Sequence, residues 1–100
     1  MKKILTLAIA LLTLGLASTA MAGDVTAGQT KSAACVACHG ADGIAVTPLT
    51  PNLKGQKEDY LVVAAAAYRD GDRSNDLMKM FAMSLTDTDI ENLAAYFSSL

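Results

Sequence analysis

The residues best suited to chemistry form one short run, Cys35-Val36-Ala37-Cys38-His39, which holds both cysteines and the only histidine of the chain. Two thiols three positions apart, followed at once by an imidazole, form the C-x-x-C-H pattern through which a c-type haem is attached. Cys35 and Cys38 would each add across a haem vinyl group to form a thioether. His39 would then offer a ring nitrogen to the iron as the proximal ligand. The pattern therefore predicts one covalently bound haem.

Other uses of a C-x-x-C pair are disfavoured by the residues around it. A redox-active dithiol belongs to a βαβ context, and the chain has no alternating run rich in β-forming residues. A zinc site needs four ligands, and the sequence has neither a second cysteine pair nor a second histidine. A simple disulfide would leave His39 without a role.

The N-terminal segment 1–22 has the features of a secretory signal peptide. These features are a positive start at Lys2 and Lys3, an apolar stretch from Ile4 to Leu16, and an A-x-A cleavage site at Ala20-Met21-Ala22. We therefore expect a signal peptide at 1–22, one domain at 23–100, and a mature protein in the periplasm. If it were retained, the uncharged stretch from Ile4 to Ala22 would be roughly long enough to anchor the domain in a bilayer. The A-x-A site favours cleavage, after which we expect no membrane span.

Cleavage would leave 78 residues with six Lys and Arg against ten Asp and Glu, a net charge of −4. This acidic balance argues against nucleic acid as a partner. A chain of this size holds one small domain, and its own core is usually supplemented by a disulfide, a metal or a cofactor. We expect the haem to fill that role as the centre of the core.

The hydrophobic pattern and the capping residues predict an all-α fold of three or four helices wrapped around the haem, with no strand. The predicted elements are a helix from Val25 to Ala34 capped by Asp24, a loop from Gly40 to Gly55, a helix from Lys57 to Arg69 stopped by Asp70-Gly71, a short helix or irregular turn from Asp76 to Met83, and a helix from Asp87 to Ser99 that opens with a capping box at Thr86-Asp87-Thr88-Asp89.

Two helix faces can be assigned from the spacing of their residues. Tyr60, Leu61, Ala64 and Tyr68 are expected to share the inner face of the second long helix. Gly28 on the first helix would let the last helix cross closely, with Leu93 and Tyr96 packed over it.

The order of the motifs resembles the small bacterial class I cytochromes c over nearly all of 23–100. The matching stretches are C-x-x-C-H-G at Cys35 to Gly40, P-N-L-x-G at Pro51 to Gly55, Tyr60-Leu61, R-x-N-x-x-M from Arg73 to Met78, L-T-D at Leu85 to Asp87, and L-A-A-Y at Leu93 to Tyr96. The resemblance implies the class I cytochrome c fold and electron transfer by a single haem. It also implies that the Pro51 carbonyl accepts a hydrogen bond from His39 and that Leu53 packs on the haem face.

In the family that the chain resembles, a methionine from the C-terminal half is the sixth iron ligand. Met78, Met80 and Met83 are the candidates, and helical geometry separates them so widely that only one can reach the iron. Related chains place this methionine seven residues before the Leu of an L-S/T-D turn. Counting back from Leu85 gives Met78, with Met80 and Met83 as the alternatives.

The resulting hypothesis is a monomeric periplasmic electron carrier, not an enzyme, whose haem cycles between Fe(II) and Fe(III) for unidentified redox partner proteins. The alternative is a five-coordinate haem enzyme or gas sensor, such as a small peroxidase or a nitric oxide binder. An open iron site needs distal acid or base groups. The chain offers few near the methionines besides Arg73, Asn75 and Asp76.

Overall fold

The computed structural model describes residues 23–100, which form five α-helices and no strand. The elements are α1 (Val25–Lys31), a 3₁₀ turn (Ser32–Ala34), α2 (Val36–His39), α3 (Glu58–Asp70), α4 (Asp76–Ala82) and α5 (Asp87–Ser98). The predicted all-α fold is confirmed, but the predicted number of three or four helices is too low, because the C-x-x-C-H run forms a separate short helix. The signal peptide predicted at 1–22 lies outside the described residues.

Helix α1 begins where its cap predicts, because the Asp24 carboxylate accepts a hydrogen bond from the Ala27 N–H at 3.0 Å. The prediction that this helix continues unbroken to Ala34 is wrong. The Ser32 hydroxyl donates to the Gln29 carbonyl at 2.7 Å, and the chain tightens into a 3₁₀ turn at this point. The turn redirects the backbone so that a separate short helix, α2, carries the C-x-x-C-H run.

Helix α3 lies one residue later at each end than the predicted span. Gly71 stops it in the left-handed conformation, with φ at 90°, and the Gly71 N–H donates to the Ala67 carbonyl. The expected inner face of α3 is only partly confirmed. Leu61 is buried, but Tyr60 is 48% exposed because its hydroxyl reaches the Arg73 guanidinium at the surface.

Side-chain caps start both C-terminal helices. The Asn75 side chain accepts from the Met78 N–H at 3.0 Å, so the segment from Asp76 onward is a helix and not an irregular turn. The predicted capping box of α5 is present, since Thr86 and Asp89 each accept from the backbone N–H of the other. Helix α5 ends at Ser98, one residue before the predicted end.

Helix α5 supplies most of the core and packs against both α1 and α3. Its buried residues are Ile90, Leu93, Ala94, Ala95, Tyr96 and Phe97. A Cβ added to Gly28 of α1 would lie 1.9 Å from the Asn92 carbonyl oxygen and 2.8 Å from the Tyr96 Cβ. The close crossing at Gly28 is therefore confirmed, although its tightest contact is the Asn92 backbone and not Leu93.

Within 23–100, every helix is too short or too polar to cross a bilayer.

Candidate haem-binding site

The short helix α2 positions all three residues of the C-x-x-C-H run. Cys35 is its N-cap, Cys38 lies in its last turn, and His39 is its final residue. Both thiols are free of any disulfide. Cys35 is half-buried against the core cluster of α3 and α5, and this burial raises the pKa of its thiol, whereas Cys38 is exposed. The two sulfurs are thus presented as neighbouring thiols on one turn of helix.

The imidazole of His39 is buried and held in a defined orientation. Its Nδ1 lies 2.8 Å from the carbonyl oxygen of Pro51, and His39 is only 7% exposed. A carbonyl oxygen only accepts hydrogen bonds, so Nδ1 carries the proton and donates. In the neutral ring, Nε2 then keeps its lone pair and is the nitrogen available to a metal.

The loop between α2 and α3 holds the Pro51 carbonyl in place. The Asn52 side chain accepts from the Ala45 N–H at 2.7 Å, and the Leu53 N–H donates to the Gly43 carbonyl at 2.8 Å. Leu53 itself is half-buried against the core cluster. Sequence reasoning predicted this segment as a loop but missed the role of Asn52. The preference of asparagine for turns could have indicated that role.

Helix α5 fixes the loop at both ends. The Tyr96 hydroxyl donates to the Ala41 carbonyl at 3.2 Å, two residues after His39. The Gly55 N–H donates to the Phe97 carbonyl at 3.0 Å. These long-range bonds, which no local pattern predicts, connect the orientation of His39 to the main core helix.

The three methionines occupy different environments on and beside α4. Met78 is half-buried and lies near His39, and its backbone N–H is held by Asn75. Met80 and Met83 are 55% and 64% exposed. Of these three side chains, only Met78 is both half-buried and near His39, whereas Met80 and Met83 lie at the surface.

Arg69 near the end of α3 connects that helix to the segment after the methionines. Its Nη1 donates to the Leu85 carbonyl at 3.2 Å and to an Asp87 carboxylate oxygen at 2.8 Å, and its Nε donates to Asp70 at 2.9 Å. The hydrogen bonds to Asp70 and Asp87 raise the pKa of Arg69, and the one from Arg69 lowers the pKa of Asp70. Sequence reasoning missed this contact, because no local pattern relates Arg69 to residues so far along the chain.

The arrangement fits a c-type haem. It offers two free thiols on one helical turn, an imidazole with Nδ1 occupied and Nε2 available, and a thioether near that imidazole. Among residues 23–100, no three His, Cys, Asp or Glu side chains converge to hold a bare metal ion.

Comparison with known proteins gives a consistent result. The cytochrome c family model matches residues 25–100. The chain is 49% identical over 81 residues to cytochrome c-554(548) of Halomonas halodenitrificans, covering 78% of this chain and 98% of that protein. It is 48% identical over 90 residues to cytochrome c4 of Pseudomonas aeruginosa, covering 89% of this chain and 45% of that protein.

A solved structure agrees with the sequence relatives. The crystal structure of reduced recombinant cytochrome c4 from Pseudomonas stutzeri superposes with a TM-score of 0.73 at 41% identity, covering 78% of this chain and 46% of that chain. The chain thus matches nearly the whole of cytochrome c-554(548) but spans less than half of these two cytochromes c4.

Proposed function

The chain belongs to the cytochrome c family, and from this premise we propose that it carries single electrons between redox partner proteins in the periplasm, using one haem with His/Met ligation. Its relatives are electron carriers and not enzymes, and the family binds its haem covalently. The observation that carries the finer proposal is the hydrogen bond from His39 to Pro51, which leaves Nε2 as the available ring nitrogen.

In this proposal Cys35 and Cys38 form the thioethers, His39 is the proximal ligand and Met78 is the distal ligand. The bound haem supplies one-electron chemistry, since its iron alternates between Fe(II) and Fe(III). Leu53, which packs against the core beside the loop, lines the pocket.

The protein's own contribution is to fix the ligands and to limit the access of water. The Pro51 carbonyl orients the imidazole and increases its donor strength, because it accepts the proton-bearing Nδ1–H. Asn75 holds the backbone of Met78, which restricts where the thioether can lie. These hydrogen bonds restrain both residues that would hold the iron, which would limit their rearrangement during electron transfer.

Two of the three residues that could serve an open distal site, Arg73 and Asn75, are engaged in other contacts. The Arg73 guanidinium stacks 4.7 Å from the centroid of the Tyr68 ring, and the Asn75 side chain caps α4. These contacts favour a closed, six-coordinate carrier over a five-coordinate peroxidase or nitric oxide sensor.

The remaining parts of the proposal concern the whole chain. We propose that 1–22 directs export and is removed, that the domain at 23–100 binds a single haem, and that it acts as a monomer toward its redox partners. The nearly full-length match to cytochrome c-554(548) supports the assignment of one cytochrome domain.

Optical spectra of the purified holoprotein test the ligation. Sharp bands in the reduced form, together with a weak far-red band from an Fe(III)–sulfur bond in the oxidised form, are expected. A five-coordinate spectrum would overturn the proposal of His/Met ligation. The mass of the secreted protein tests the proposed cleavage and haem content, because it reports both cleavage after Ala22 and the number of haems.

A further inference from the structure

The outward face of α4 carries two thioethers at the protein surface. Met80 and Met83 are 55% and 64% exposed, whereas Ala82, between them in the chain, is 1% exposed. Large apolar side chains are usually placed where they pack. Leu77 and Phe81 of the same helix are also exposed, at 64% and 43%, so the feature that sets Met80 and Met83 apart is their sulfur and not their exposure.

Helical geometry shows that this exposure belongs to the face of α4 directed away from Met78. Met83 continues the helical backbone, with φ at −61° and ψ at −25°. At about 100° per residue, Met80 and Met83 lie about 60° apart on the helix surface, and Met80 lies about 160° from the buried Ala82 and about 160° from Met78. The two side chains thus share the solvent side of the helix.

The choice of methionine points to sulfur chemistry. Leucine offers similar apolar surface for contacts, as Leu77 of the same helix does with 64% exposure. The property that distinguishes methionine is its readiness to take an oxygen atom and become a sulfoxide, a change that reductases reverse. Replacing a surface leucine by methionine nearly preserves the side-chain volume and adds this reactivity.

We propose that Met80 and Met83 form a sacrificial oxidation site, which consumes two-electron oxidants of the hypohalous acid class before they reach Met78. The thioether sulfur bonds to the oxygen of the acid and the oxygen–halogen bond breaks. The halogen leaves as halide and the hydroxyl proton is released. Sulfur is oxidised by two electrons to the sulfoxide, and the halogen is reduced by two.

The sequence makes it simple to follow how the methionines compete for the oxidant. The other two methionines are Met1 and Met21, both within the predicted leader, so the mature domain holds only the three methionines of this segment. The inference rests on the proposed ligation by Met78, whose oxidation would remove the distal ligand. Two exposed sulfurs beside one half-buried sulfur give each molecule two oxidant equivalents of protection.

The test treats the oxidised holoprotein with hypochlorous acid at one molar equivalent and maps sulfoxides by peptide mass spectrometry. We expect at least about threefold more sulfoxide at Met80 and Met83 together than at Met78, with the far-red sulfur band retained. Equal or greater oxidation of Met78 would overturn the proposal.

A double variant, Met80→Leu with Met83→Leu, tests the protection itself. It keeps the apolar surface but should lose the far-red band at roughly one third of the oxidant dose that the wild type tolerates, because the two protecting equivalents are gone. The matched control Leu77→Ala removes apolar surface from the same helix without removing sulfur and should behave as wild type. Loss of the band at an unchanged dose in the double variant would overturn the protective role.

The untreated variants separate this inference from the function on which it depends. If the double variant already lacks the far-red band before oxidant is added, Met80 or Met83 is the iron ligand, and both the ligand assignment and the sacrificial site fail. If the band is present and only the oxidant response is unchanged, the electron-transfer proposal stands and the sacrificial site alone fails.

Discussion

A single backbone carbonyl defines the proposed proximal side of the haem site. Because the Pro51 oxygen accepts the Nδ1–H of His39 at 2.8 Å, the ring has one orientation and one available nitrogen. Proline suits this position, since its fixed φ angle limits the movement of the carbonyl. Asn52 and Leu53 then hold the following backbone to Ala45 and Gly43.

The first prediction concerns the distal ligand. Replacing Met78 by Leu nearly preserves the side-chain volume but removes the sulfur. We expect the far-red band to disappear and the reduction potential to fall by on the order of 0.1 V, a fraction of the roughly 0.8 V range that axial ligands set. Spectroscopy and protein-film voltammetry provide the measurements.

Single Met80→Leu and Met83→Leu variants are the controls for this prediction, and both should keep the band and the potential. If the band survives in Met78→Leu and is lost in one of the controls, the assignment passes to that methionine.

The local motif predicts which residues would attach the haem, but it does not predict the hydrogen bonds that hold those residues in place. Cys35, Cys38 and His39 were recognisable because the haem reaction requires their types and spacing within five consecutive residues. Asn52, Tyr96 and Arg69 were not, because each acts on a partner that only the folded chain brings near. Their hydrogen bonds depend on the tertiary structure and leave no periodic signal.

At the scale of helices, caps and close approaches determine the architecture. Asp24, Asn75 and Thr86 each accept from a backbone N–H in the first turn of a helix. These starts were predictable because capping is local. The 3₁₀ turn at Ser32 was not, since it arises from competition between a serine hydroxyl and the regular helix.

The second prediction concerns the crossing of α1 and α5. A Gly28→Ala side chain would place its Cβ 1.9 Å from the Asn92 carbonyl oxygen, so the helices must separate. We expect the free energy of unfolding of the holoprotein to fall by about 1–3 kcal/mol, as is typical of overpacking. Chemical denaturation provides the measurement.

Gln29→Ala, at the exposed next position of α1, is the matched control and should change the stability by less than about 0.5 kcal/mol. A Gly28→Ala variant as stable as this control would show that the crossing tolerates a methyl group.

The third prediction concerns pH and the capping box of α5. The hydrogen bond from the Thr86 backbone, assisted by the Thr86 side chain and by Lys31 at 3.4 Å, lowers the pKa of Asp89. A carboxyl with a lowered folded-state pKa stabilises the fold above its unfolded-state pKa, and this stabilisation is lost as the pH falls through the folded-state value. Asp89→Asn should therefore lose part of the stability at neutral pH and show a shallower decrease on acidification.

Thermal unfolding across an acidic pH series measures this difference. Asp72→Asn, at an exposed turn residue, removes the same charge without disturbing a cap and should keep the wild-type slope. An unchanged slope in Asp89→Asn would contradict the prediction.

At the scale of the whole molecule, the protein core is small and unevenly distributed. Within 23–100, eight hydrophobic residues are buried, and six of them lie on α5. Helix α1 contributes only Gly28 as a buried residue. A core of this size is consistent with the expectation, drawn from the length of the chain, that a bound haem completes it.

The last prediction follows from the charge of the whole domain. Residues 23–100 carry a net charge of −4, so their field attracts cationic reaction partners and repels anionic ones. The two effects should be strongest at low salt, because mobile ions screen charges over about 10 Å at 0.1 M ionic strength. We expect the second-order rate of electron transfer with a small cationic metal complex to fall severalfold as salt is raised from low to physiological concentration.

Stopped-flow measurements with three mediators of similar potential separate charge from chemistry. An anionic mediator should react faster as salt rises, and a neutral mediator should be nearly insensitive. A cationic mediator that also speeds up with salt would mean that the transfer site lies under a local positive patch, formed by residues such as Lys79 and Arg73, and that this patch outweighs the net charge of the domain.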